Sequence, residues 1–172
     1  MKGLNKNNGF LKLLFLTTVL FFCINSSFAQ PILPQRSLTV TATQAIQFGT
    51  LCVGSSGGTI TVNWNGSKSS TGDVIPLSMA PAAQPAIFEI ILCQGRNVII
   101  TFSPTATLTN GTGGSLTLHI GPTEQGISGA SFTTNSDCNF ITPLRVGGML
   151  DIPGNAPPGT YTGSFDITFN QE

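Results

Sequence analysis

"PPGTYTGSFDITFNQE", Pro157–Glu172, decides the fold class. Tyr161, Gly163, Phe165, Ile167 and Phe169 recur at every second position, with Thr160, Thr162, Ser164, Asp166, Thr168 and Asn170 between them. Side chains alternate across a strand, so this pattern predicts a half-buried β-strand of about ten residues. Pro157-Pro158-Gly159 breaks any preceding element and supplies a turn.

Working outward, the same period recurs along the chain. "SLTVTA" sends Leu38, Val40 and Ala42 to one face, and "GTITVNW" separates Ile60, Val62 and Trp64 from Thr59, Thr61 and Asn63. "NVIITF" is apolar on both faces, as a central strand would be. "SLTLHI" points Leu116, Leu118 and Ile120 inward, and "LRVGGMLDI" points Leu144, Val146, Gly148, Leu150 and Ile152 inward. "AIFEIIL" and "VIPLSM" also read as strands, Pro76 placing the latter at an edge. Asn65-Gly66, Asn110-Gly111, Gly113-Gly114 and Gly121-Pro122 mark turns between them. About eight to nine short strands with no amphipathic helix predict an all-β protein, an immunoglobulin-like Greek-key β-sandwich.

The first 29 residues read as a signal peptide and not as part of the fold. Lys2, Lys6 and Lys12 precede the apolar run "LLFLTTVLFFCI", and "SFA" ends in small residues at Ala29. The run is too short for a membrane span. Phe22 before Cys23 argues against lipid attachment there. Residues 30–172 then form a single domain, secreted to the periplasm, the outer surface or the medium. Its bases are Arg36, Lys68, Arg96 and Arg145 against seven acids, a sparse and mildly acidic balance with no basic patch for nucleic acid.

Cys52, Cys93 and Cys138 leave an odd count in an oxidising compartment. One bridge plus one free thiol is expected, with three pairings open. Cys52 with Cys93 is the candidate bridge, leaving Cys138 free or as the alternative partner. Closing that loop would contribute roughly 4 kcal/mol by chain entropy. The wide spacing fits no zinc pattern.

Catalytic signals are weak. His119 is the single histidine, and alternation puts it on the polar face as a solvated strand residue. The carboxylates are scattered and form no calcium loop. "SSGGT", residues 55–59, reads as a turn before a strand and not as a phosphate cradle. Turn chemistry accounts for the sequons at Asn65 and Asn110, and core packing for Trp64 and Tyr161. No catalytic, metal or cofactor site is expected.

Taken together, "SLTVTATQAIQFGT", "GGTITVNWNGSKSSTGDV", "AIFEI", "LTNGTGGSLTL", "LRVGGMLDIP" and "PPGTYTGSFDITF" resemble a family of secreted bacterial β-sandwiches known only as a domain of unknown function. That family is similar to spore-coat-protein-U and fimbrial-subunit-like domains. The resemblance implies a non-catalytic cell-surface structural protein, fimbria-like or coat-like, assembled by β-strand addition with like subunits or a periplasmic chaperone. The candidate assembly strands carry Leu38, Val40 and Ala42 at one end and Tyr161, Phe165, Ile167 and Phe169 at the other. "QPILPQR", Gln30–Arg36, is too short and proline-rich to be a donor strand, so either "SLTVTATQAIQF" donates or the domain is self-complete. The alternative function is an adhesin-like module that binds glycan or protein through its turn loops.

Overall fold

The computed structural model describes residues 37–92, 96–135 and 137–171, so the expected signal peptide lies outside the described residues. Among these residues there is no helix. Ten strands form: β1 (Leu38–Gln44), β2 (Leu51–Val62), β3 (Lys68–Pro76), β4 (Ala86–Leu92), β5 (Asn97–Phe102), β6 (Thr105–Thr109), β7 (Ser115–Thr123), β8 (Ser131–Thr133), β9 (Thr142–Ile152) and β10 (Ile167–Gln171). They make two antiparallel sheets, as a β-sandwich requires.

The larger sheet is organised on β9. Along one side of β9, β4 pairs with its first half (Ala86↔Val146) and β2 with its second (Val62↔Gly148). β7 lines the opposite side, and β1, β3 and β6 are the outer strands beyond β4, β2 and β7. The smaller sheet runs β10-β5-β8. Inner faces meet in one apolar core in which Ile60, Ile90, Ile100, Leu118 and Leu144 are fully buried. Each such side chain contributes roughly 1.5–3 kcal/mol by leaving water. Phe88 of β4 meets Phe165 and Phe169 across the core, with ring centroids 6.5 and 5.9 Å apart.

Asparagines close the tight turns, as their chemistry predicts. The Asn65 carboxamide accepts from Ser67 N at 2.9 Å, and Gly66 takes the positive φ of 84° that the β2–β3 hairpin needs. Asn110 Oδ1 accepts from Thr112 N and Gly114 N at 3.0 and 2.8 Å, joining β6 to β7. Side-chain oxygen here replaces the backbone partners a tight loop cannot provide.

Several sequence expectations are corrected. The C-terminal strand is half as long as its alternation suggests. Thr162 makes only an isolated bridge to Thr109 at the β6 edge, and pairing resumes on β5 from Ile167. The chain crosses between sheets over residues 163–166, so backbone pairing breaks while side-chain alternation continues. "SSGGT" lies inside β2, not in a turn before it: the register shifts between Val53 and Gly58, and Gly57 has φ 65°. Gly121-Pro122 likewise sits in an irregularity within β7, between Ile120 and Thr123. β3 begins at Lys68 and ends at Pro76, so Leu77–Met79 fall outside it. Ala42 is exposed, because β1 is an outer strand and its register shifts just after that residue. Trp64 lies beyond the end of β2 and is half-buried.

Candidate functional site

An outer strand presents one row of backbone N–H and C=O groups without a sheet partner, which recruits another strand unless something blocks it. Three of the five outer strands here are blunted. β3 carries Lys68 and Asp73 and is kinked at Gly72, with φ 65°. β8 is three residues long. β6 is five residues long and its end is taken up by the Thr109–Thr162 bridge. β1 and β10 lack the charge, proline and glycine devices, as "LTVTATQ" and "ITFNQ" show, although β10 is as short as β6 and the β1 register shifts after Ala42. Among the described residues β1 pairs only with β4, and β10 only with β5.

The residues expected at the assembly strands fall on these two edges and the segment leading to one of them. Leu38 and Val40 are half-buried against the core from β1, where Val40 is the partner of Ile90. Tyr161, Phe165, Ile167 and Phe169 are also half-buried against the core, on the single face their period predicts. Tyr161 hydroxyl donates to Pro157 O at 2.6 Å, a tyrosine-corner arrangement that fixes the approach to the final strand. The two edges belong to different sheets, yet Phe88 on β4 links them, since β4 is the neighbour of β1 and Phe88 touches Phe169 of β10.

A free thiol is present as expected, but it is Cys52 and not Cys138. The Cys52–Cys93 bridge is not made: Cys52 is a free, exposed thiol opposite Ile75 in the β2–β3 hairpin. Cys138 is disulfide-bonded, and Cys93 lies outside the described residues. The reason is topological. β5–β8 pairing brings Thr134 N to Arg96 O at 3.0 Å, so the segment carrying Cys138 leaves the smaller sheet beside the start of β5 and not beside Cys52.

His119 is on the outer face as alternation predicts, but it is not simply solvated. Its Nε2 lies 2.8 Å from Asp151 Oδ2, across the β7–β9 ladder. Around it the outer face carries a row of threonine hydroxyls with one carboxylate: Thr107, Thr117, Asp151, Thr59 and Thr71 align across five strands, and Thr59 and Thr71 hydroxyls meet at 2.8 Å. A hydrolytic triad would need a hydroxyl on the other imidazole nitrogen. Among the described residues, the Asp151 carboxylate is the single hydrogen-bond partner of the His119 side chain. Arg145 and Glu124 form a second ion pair, at 3.1 Å, tying β9 to the segment after β7.

Sequence reading missed a shallow concavity of about 360 Å³ between the β1–β2 and β3–β4 connections, lined by Phe48, Thr50, Pro76, Leu77, Met79 and Ala83. It depends on two loops about thirty residues apart, which no local pattern connects. The Asn110 loop is closed on itself. Asn110 Nδ2 is buried without a partner, so that sequon nitrogen is covered in the folded chain.

Comparison with known proteins returns one family. A model described as "Domain of unknown function (DUF4402)" matches residues 38–170, from the first residue of β1 into β10. No curated protein and no solved structure matches. Nothing in these comparisons ties the chain to spore-coat-protein-U or fimbrial families.

Proposed function

The chain belongs to the DUF4402 family of domains of unknown function; we propose that it is an exported, non-catalytic structural subunit of the cell surface, assembled by β-strand addition. The observation that carries this reading is a pair of uncharged outer strands, each paired on one side only among the described residues. β1 and β10 each offer an uncharged, proline-free strand whose alternate side chains pack on the core. An added strand would satisfy the free backbone row and seat alternate side chains beside Leu38 and Val40, or beside Ile167 and Phe169. Export follows from the signal-like residues 1–29.

The test is a blot of envelope and culture fractions, run with and without boiling. A ladder that collapses to monomer only on heating is expected, because strand-paired polymers dissociate slowly. A single monomer band under both conditions, in every fraction, refutes the proposal. Saturable binding of one glycan class by that monomer would replace it with the adhesin reading.

A further inference from the structure

We infer that the free edge of β1 is a docking site for β1 of a second copy of this chain, paired antiparallel about a two-fold axis at Val40. The inference rests on the strand-addition reading above and names the partner.

Edge strands that meet around a two-fold axis normal to the sheet keep inner face with inner face, so directly opposed residues must share a face. In β1 Leu38 and Val40 pack on the core, Ala42 shares their face by alternation although it is exposed, and Thr39 and Thr41 lie on the other face. A register centred on Val40 opposes Val40 to Val40, Thr39 to Thr41 and Leu38 to Ala42. Every apolar residue then meets an apolar one and every threonine meets a threonine. A slip by one residue would send inner side chains outward, which half-burial of Leu38 and Val40 disfavours.

The register also fits the limits of the strand. Pairing with β4 runs without interruption from Leu38 to Ala42 and then shifts, with Thr43 left over before Gln44 meets Ile87. A bulge twists an edge and ends regular pairing. Centring on Thr41 would place bulged Thr43 against Thr39, whereas centring on Val40 uses all five regular residues and leaves the bulge outside. Among the described residues no strand pairs with β1 on the side away from β4, and Thr39, Thr41 and Ala42 are exposed.

Charge placed at the two outer positions tests both edge and register, because Thr39 of one copy faces Thr41 of the other. Thr39→Lys with Thr41→Lys sets lysine against lysine twice. Thr39→Glu with Thr41→Lys sets glutamate against lysine twice, and its lysine also lies opposite Glu89 of β4 in the same chain. Sedimentation velocity on the purified full chain should show the double-lysine variant self-associating about tenfold or more weakly than wild type. The charge-paired variant should recover most of that loss. Val40→Cys, made together with Cys52→Ser, should bridge to its own copy under mild oxidation.

Double-lysine protein that associates like wild type overturns this inference while leaving strand addition through another edge in place. A charge-paired variant as weak as the double lysine overturns the Val40 register. A Val40→Cys chain that stays unbridged while associated does the same. Wild type that remains monomeric at every concentration removes both this inference and the function it rests on.

Discussion

Gly147→Ala probes the junction on which the larger sheet depends. Gly147 lies between Val146, which pairs with β4, and Gly148, which pairs with β2. An added Cβ would stand 2.7 Å from Val62 O and 2.8 Å from Trp64 N, both backbone atoms. Ordinary carbon–oxygen contacts are about 3.3 Å or longer, so β2 would have to retreat by roughly half an ångström. Overpacking of this kind costs about 1–3 kcal/mol, and the stiffer unfolded chain returns about 0.4–1 kcal/mol. The net expectation is a loss of about 1–2 kcal/mol. With a urea slope of about 1–3 kcal/mol per molar, the midpoint should fall by roughly 0.3–2 M at unchanged slope.

Gly148→Ala is the internal control. Its new methyl meets His119 O at 3.0 Å, but its other close neighbours, Leu118 Cδ1 and Ile46 Cδ1, are side-chain ends that can rotate away. A smaller midpoint shift is expected there. An unchanged or raised midpoint for Gly147→Ala, or a larger loss at Gly148, would refute the steric account of how β9 changes neighbours.

Three further outcomes follow from the contacts. Tyr161→Phe removes the 2.6 Å bond to Pro157 O and should cost about 1 kcal/mol, read as a Tm lower by about 2–4 °C in calorimetry. Alkylation of the native protein without reductant should label Cys52 and leave Cys138 unmodified until reduction, and peptide mass mapping distinguishes the two. His119→Ala and Asp151→Asn should each change urea stability by no more than about 0.5 kcal/mol, since the pair's side chains are 41% and 46% exposed and water screens them. A loss several times larger would give the pair a structural weight its exposure does not suggest.

Where a residue's neighbours along the chain define its environment, sequence reading located the structure closely. "AIFEIIL" and "NVIITF" coincide with β4 and β5. Asn65-Gly66 and Asn110-Gly111 turn where dipeptide chemistry says they must. The inward set of Tyr161, Phe165, Ile167 and Phe169 is also correct, although the strand beneath it is interrupted. β6 was not read as a strand, although Ala106 and Leu108 alternate with Thr105, Thr107 and Thr109. Nor was the start of β3 legible: its first six residues are exposed on both faces, so no hydrophobic period marks them.

By itself, then, the sequence determined that this protein is all-β, which side chains of most strands face its core, and where the Asn-Gly turns fall. These follow from a two-residue period and from the φ preferences of a few residue types, both local properties. Tertiary structure alone decided which strands are neighbours and which are outermost among the described residues. It set Cys52 apart as a free thiol, brought His119 to Asp151 across 32 positions of sequence, and gave β9 two successive neighbours on one side. Those outcomes depend on register between distant segments. Many pairings satisfy the same alternation, and only packing the whole core at once selects among them.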